Sequence, residues 1–276
     1  MRAWSLGMAL VALAPGCIAY TDERSDDVME AEVALVQGNH LGANALALNA
    51  LALNALALNA LALNTLDPQA LAAIEDPGPQ GALVRAFLKY AIGCAFTPAQ
   101  SFVFTWTDGN GVDHDEVYKG ELGVAPCWAT GRLDTQGQSM VSACMAARVN
   151  YYQVPVTLSI RSLTEPLKTL TGSQELAQYP DVEGAFWGNL WAPTPFLHAC
   201  YNSATVANSR AWKRDCAVGH LREGGGIEAC GIIDIVGPCA NVCQNLNGAG
   251  QYYPSCIERP GLSGTTTKFV ITTGLP

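Results

Sequence analysis

Basic residues are scarce and dispersed. Lys and Arg together number fifteen in 276 residues, only 14% of the chain is charged, and the net charge is −9. Nucleic-acid binding needs a stripe of Lys and Arg to neutralise phosphates, so the absence of any basic cluster disfavours that class of partner. Long apolar runs are also missing. After the N-terminal segment no stretch approaches the roughly eighteen apolar residues that read as a membrane-spanning helix. The recognisable catalytic signatures are lacking as well: there is no G-x-S-x-G elbow and no H-E-x-x-H helix, and Gly224-Gly225-Gly226 has no Lys-Ser/Thr after it to cradle a phosphate. That glycine run reads as a turn, and no cofactor is expected.

Apolar residues make up 49% of the chain, which is ample for a buried core. The negative charge is uneven. From Asp22 to Gly81 there are nine acids and one Arg, whereas residues 82–276 carry fifteen acids against thirteen bases. An acidic leader thus precedes a nearly neutral domain.

The first residues have the pattern of an export signal: Met1-Arg2, an apolar run from Ala3 to Ala14, then Ala14-Pro15-Gly16-Cys17 and several acids. The expectation is a signal peptide over 1–16 with lipidation at Cys17, and the alternative is ordinary cleavage after Ala19. A lipid on Cys17 would attach the chain to a membrane surface without crossing it. Either way the protein is expected outside the cytoplasm, as an outer membrane-anchored, periplasmic or secreted protein.

Residues 17–82 read as a tether. It is acidic at first and then repeats Asn-Ala-Leu-Ala-Leu from Asn44, Asn49, Asn54 and Asn59. Leucines at five-residue spacing scatter around a helix, and four copies make only about one coil of a solenoid, too little to bury a face. A docked helix or strand is the alternative to a tether. Asp67-Pro68 begins a short helix through Glu75, and Asp76-Pro77-Gly78-Pro79 breaks it. Mixed sequence then begins, so the cysteine-rich globular domain is placed at 83–276.

Within it, Leu83, Val84, Phe87, Leu88, Ala91 and Ile92 form one helical stripe ending at Gly93, with Arg85 and Lys89 facing away. Met140, Val141, Cys144, Met145 and Val149 form a second, with Arg148 solvating its C-terminal end. Alternation predicts strands at Phe102-Phe104-Trp106 and from Val154 to Arg161. Phe186, Trp187, Leu190 and Trp191 form another apolar segment, and Phe269 to Thr273 reads as a closing strand. The fold class is α+β: a mainly antiparallel sheet with two core helices and a disulfide-stabilised C-terminal region.

Nine cysteines follow residue 80. In an oxidising compartment Cys94, Cys144, Cys200, Cys216, Cys230, Cys239, Cys243 and Cys256 are disulfide candidates. Nine is odd, so one domain cysteine lacks an internal partner unless Cys17 survives unmodified, and Cys127 is the candidate free thiol, because Cys94 and Cys144 sit on helices able to face one another. Cys239-Ala-Asn-Val-Cys243 also has the spacing of half a zinc or redox site, but no matching pair accompanies it, and no metal is expected.

Asp108-Gly-Asn110-Gly-Val-Asp113-His-Asp115-Glu116 concentrates oxygen ligands as a calcium loop does, yet Val112 breaks the EF-hand pattern. A hairpin turn is the plainer reading. His40, His114, His198 and His220 show no fixed relation to a nucleophile. Glu116, Glu121, Asp181 and Glu183 are available for paired-carboxylate chemistry, or are solvated loop acids. Of Trp106, Trp128, Trp187, Trp191 and Trp212, most are expected in the core, with sugar stacking or partner anchoring as the alternative.

Ile92-Gly93-Cys94, Gly120-Glu-Leu-Gly123-Val-Ala-Pro126-Cys-Trp128, Val141-Ser-Ala-Cys144-Met-Ala-Ala-Arg-Val-Asn150 and Glu183-Gly-Ala-Phe-Trp-Gly-Asn-Leu190, with the late cysteine cluster, resemble a group of uncharacterised exported proteins common in myxobacteria. The resemblance covers most of residues 83–276 and departs at Cys127, where a different residue is expected. It implies surface or periplasmic residence and no particular activity. The leading expectation is a non-enzymatic binding or structural module for an extracellular polymer or envelope protein, touching a membrane only through its lipid. The rival is an extracellular hydrolase of polysaccharide or peptide, using a carboxylate pair or Cys127.

Overall fold

The computed structural model describes residues 66–276, Leu61 and the backbone of Leu35–Val36. The signal segment, Cys17, His40 and the Asn-Ala-Leu-Ala-Leu copies up to residue 60 lie outside the described residues.

Helix α1 is Pro68–Glu75. Its cap is Asp67, whose carboxylate accepts from the Gln69 N–H at 2.8 Å. Helix α2, Pro79–Ala95, starts after a tight turn in which the Asp76 carboxylate accepts from the N–H groups of Gly78 and Gly81. A Cβ at Gly81 would overlap the Asp76 carbonyl, so this turn requires glycine. The stripe Val84, Phe87, Leu88, Ala91 and Ile92 is buried, as its spacing predicts. Arg85 is a correction, since it is buried rather than solvated. Its guanidinium donates to the carbonyls of Ile74 (2.8 Å) and Asp76 (2.7 Å) and lies 3.6 Å over the Trp106 ring. The C-terminal carbonyls of α1 need donors, and Arg85 supplies them.

Strands β2 (Ser101–Thr107) and β3 (Asp113–Lys119) form a hairpin that turns Phe102, Phe104 and Tyr118 inward. Helix α3, Thr135–Arg148, is capped by Asp134 and buried along most of its length, its small residues allowing close approach to its neighbours. Arg148 does not solvate the helix end as expected. It is buried, paired with Glu121 at 2.9 Å and placed over the Tyr90 ring.

The central sheet has six strands. To β1 (Leu35–Val36) it adds β4 (Leu158–Arg161), β5 (Asp181–Asn189), β6 (Phe196–Tyr201), β9 (Ile233–Pro238) and β12 (Val270–Leu275), in the order β1-β4-β12-β5-β6-β9. All pairs are antiparallel except β6–β9. The alternation from Val154 yields a strand only at Leu158, beyond Pro155, which has no N–H to give a ladder. The C-terminal strand expected from Phe269 to Thr273 forms as β12 and lies between β4 and β5 inside the sheet. Three short helices, α4 (Leu167–Leu170), α5 (Ser173–Gln178) and α6 (Val206–Ala211), occupy connections. Small two-strand pairs form from β7 (His220–Leu221) with β8 (Ile227–Glu228) and from β10 (Cys256–Ile257) with β11 (Thr266–Thr267).

Alternation within the strands gives the sheet two buried faces. Phe186, Leu197, Ala199 and Ile271 join the core formed with α2 and α3. Trp187, Cys200 and Val270 point the other way, against Cys239, Tyr253 and Cys256 from the C-terminal loops. The class is α+β. Residues ahead of 83 also pack on the domain: Leu61 is buried and donates its N–H to the Trp128 carbonyl at 2.6 Å, Ala70 and Ile74 of α1 are buried, and β1 pairs with β4.

Four bridges have both partners among the described residues: Cys94–Cys144 between α2 and α3, then Cys200–Cys239, Cys216–Cys230 and Cys243–Cys256. Cys127 is not the spare thiol the odd count suggested, because it too is disulfide-bonded.

Candidate functional site

The three described histidines each meet an aspartate. His114 Nε2 lies 3.1 Å from Asp108, His198 Nδ1 lies 3.2 Å from Asp234, and His220 Nδ1 lies 3.0 Å from Asp215. Their surroundings separate them.

At the β2–β3 turn, Asp108 is committed to local structure. Its carboxylate accepts from the N–H groups of Asn110 and Val112, and Gly111 takes φ +80°. The Val112 N–H, with help from His114, holds the Asp108 carboxyl down to about 2. Asp113 and Asp115 accept from the hydroxyls of Thr107 and Thr105, both at 2.7 Å. The acids of the calcium-like motif are thus spent on a hairpin, as the plainer reading expects.

His198 is buried between Trp187 and Phe196, and burial lowers its pKa against the pull of Asp234. It sits beneath the C-terminal loops.

His220 is different, because it is partly open and built into a shaped site. The Cys216–Cys230 bridge closes a loop whose tip, Arg222 to Gly226, reverses the chain through Gly224, Gly225 and Gly226, with φ from +91° to +94°. A side chain at Gly219, φ +78°, would overlap Ile227. β7 and β8 pair within this loop and place His220 at its base. The Asp215 carboxylate fixes the imidazole, and the Tyr152 hydroxyl lies 3.1 Å from both Asp215 Oδ2 and His220 Nδ1. The Tyr151 ring stacks on the imidazole at 4.0 Å and 10°. With Nδ1 turned to Asp215, Nε2 is the ring nitrogen left for a visitor. Partial desolvation, and then the Asp215 carboxylate, push the Tyr152 phenol up. Asp215 is almost fully buried, and its Oδ1 has no hydrogen-bond partner.

The base of the site is rigid. Arg214, fully buried, donates to the carbonyls of Val149 (2.7 Å) and Ala147 (2.6 Å) at the end of α3, and to Glu183 at 3.1 Å. Thr273 donates to the same Glu183 oxygen at 2.7 Å. Cationic Arg214 satisfies orphan carbonyls at the negative end of α3 and so anchors Asp215 next to it. Tyr152 is oriented by Asn150, whose side chain accepts the Tyr152 N–H at 2.9 Å. Apolar side chains of these segments face solvent: Tyr152 beside the imidazole is 41% exposed, Leu221 and Ile227, paired on the opposite face of the hairpin, are 51% and 59% exposed, and Trp212 is 42% exposed.

The expected acids do not converge. Glu116 accepts from the Trp106 indole, Glu121 pairs with Arg148, and Asp181 accepts from Asn208. Glu183, read as available or solvated, is fully buried in its ion pair with Arg214. Of the tryptophans, Trp128, Trp187 and Trp191 are core. The sulfur atoms of Cys200, Cys239 and Cys243 lie within 4.8 Å of one another, but each is in a bridge, which leaves no thiolate to ligate a metal. Sequence reasoning missed Tyr151, Tyr152 and Asp215. Cys216 and Cys230 bracketing His220 and a glycine run were the available signal.

No family model, curated protein or solved structure matches the chain.

Proposed function

We propose that this chain is an exported binding module that holds an extracellular polymer or envelope protein at the hairpin clamped by Cys216–Cys230. The observation that carries the reading is an imidazole fixed by Asp215 and flanked by Tyr151 and the exposed Tyr152, on a hairpin whose other face exposes Leu221 and Ile227. Aromatic and aliphatic surface of this kind desolvates cheaply against a sugar face or an apolar side chain. His220 Nε2, left free by the bond of Nδ1 to Asp215, adds a polar group that gives such contact direction. Export is supported by the signal-like N-terminus and by four bridges, together with the finding that, among the described residues, no helix is long and apolar enough to cross a membrane. Anchoring through a lipid on Cys17 belongs to the same proposal. Acylation of Cys17 and cleavage after Ala19 would each leave nine cysteines to pair, so a disulfide retained at Cys127 in the mature protein, read from its intact mass and peptide map, would contradict both.

The test is retention of the purified protein on peptidoglycan, capsular polysaccharide and solubilised envelope proteins. Retention by one of these, lost in Tyr152→Ala and Leu221→Ser variants that keep the native fold, supports the module. No retention on any of them argues against it.

An extracellular hydrolase is the second reading, and one observation favours it: Asp215 holds His220 in the tautomer that leaves Nε2 as a general base. Turnover on a polysaccharide and peptide panel, abolished by His220→Gln, would displace the binding reading.

A further inference from the structure

The bridges Cys200–Cys239 and Cys243–Cys256 are separate in sequence and touch in space. Cys200 Sγ lies 3.6 Å from Cys243 Sγ, which is contact between the two sulfurs. Two disulfides in contact are four sulfur atoms with more than one available pairing. Backbone structure keeps them together: Cys239 opens a single 3-10 turn, and the Cys243 N–H donates to the Cys239 carbonyl at 2.8 Å. Cys243 and Cys256 face one another across an antiparallel bridge.

Access to the two bridges is unequal. Cys200 and Cys239 are 0% and 1% exposed. Cys243 is half-buried and, with Cys256, lines a shallow groove of about 240 Å³ bounded by Asn241, Gln244, Ser255 and Thr266. A thiolate arriving from solvent therefore meets Cys243–Cys256 first. Exchange between thiols and disulfides depends on such access and on the proximity of the next sulfur.

We propose that these four cysteines form a thiol–disulfide exchange centre in which reduction that enters at Cys243–Cys256 is passed inward to Cys200–Cys239. The reductant is a dithiol, small or borne on a partner protein. One of its sulfurs attacks Cys243, the S–S bond to Cys256 breaks, and Cys256 leaves as a thiolate and takes a proton. The second dithiol sulfur then displaces Cys243, closing the reductant to its own disulfide, so two electrons have entered the protein. The freed Cys243 thiolate attacks Cys200, with which it is already in contact. The Cys200–Cys239 bond breaks, a Cys200–Cys243 bond forms, and Cys239 leaves as a thiolate and is protonated. The chain has then lost one bridge in total and carries its two thiols at Cys239 and Cys256.

The experiment uses the oxidised full chain with one molar equivalent of dithiothreitol, acid quenching, alkylation and peptide mapping by mass spectrometry. The expected result is alkylation at Cys239 and Cys256 with a new Cys200–Cys243 cross-link. Alkylation at Cys243 and Cys256 with Cys200–Cys239 intact would overturn the transfer, and first reduction at Cys216–Cys230 or Cys94–Cys144 would overturn the entry point. A Cys256→Ser variant gives a second reading without reductant: a Cys200–Cys243 bridge with Cys239 free is expected, and Cys243 free beside an intact Cys200–Cys239 bridge contradicts the proposal.

Discussion

The two faces of the central sheet are covered by different means. On one, α2 and α3 bring regular apolar stripes, and Phe186 and Ile271 of the sheet meet Phe87, Leu88, Met140 and Cys144 in one continuous core. On the other, the cover is loop. Trp187 donates its indole N–H to the Glu258 carbonyl, Tyr253 donates its backbone N–H to the Thr272 hydroxyl, and the apolar cluster is small, with bridged Cys200, Cys239 and Cys256 among its buried members. Strands there are two residues long in β10 and β11, whereas the equally short β7–β8 hairpin packs its Cys216 and Cys230 against the helix-side core. Loops of this kind give back little apolar area per ordered residue, so the chain offsets their entropy covalently. Three of the four assigned bridges fall after residue 199. The candidate site uses the same covalent device: its short, exposed, glycine-rich hairpin has its ends fixed by Cys216–Cys230, and Asp215 and Tyr152 then hold the His220 imidazole.

The strongest way to break the comparison is to attack the helix face or its support. Trp128 is fully buried and meets Trp191 edge to face at 6.0 Å, so Trp128→Ala should cost about 3–5 kcal/mol and unfold the domain cooperatively, as measured by chemical denaturation. Glu183→Gln leaves buried Arg214 without its countercharge, and a loss of similar size, about 3–5 kcal/mol, is expected in the same measurement. Removing Cys216–Cys230 by a double Ala substitution should cost about 3 kcal/mol for a loop of this length. That loss should appear as faster exchange confined to residues 214–230, with α3 unchanged.

His220→Gln is a smaller perturbation. The imidazole is partly exposed, so stability should move by less than about 1 kcal/mol while retention on the ligand is lost. The smallest effect is at the hairpin tip. The Asp108 carboxyl is held at about 2 in the folded state against an ordinary value of 3.8, so its contribution is complete above 3.8 and lost as pH falls through about 2. Amide resonances of Asn110 and Val112 should shift in that window, and Asp108→Asn should abolish the shift.

The helix face was largely legible in the sequence, because a 3.6-residue stripe reports burial directly: Val84, Phe87 and Leu88 are where their spacing puts them. The same rule misplaced Arg85 and Arg148, since a charged side chain is assigned to solvent unless its partner is known. Their partners, the carbonyls of Ile74 and Asp76 and the carboxylate of Glu121, are made by tertiary structure. Glu183 failed for the same reason. Its partner Arg214 is distant in sequence and carries no local mark. On the loop face only the cysteines spoke, and they announced cross-linking without stating which sulfur meets which. The parallel pairing of β6 with β9 and the meeting of Tyr152 with His220, 68 residues apart, have no local signature at all.

The most direct test of the two-face account is amide hydrogen exchange on the oxidised protein and on protein reduced and alkylated under native conditions. The account predicts that residues 239–269 lose protection on reduction while α2, α3, β5 and β12 keep theirs. Loss of protection in α3 and β5 together with 239–269, or unchanged protection in 239–269, would contradict it.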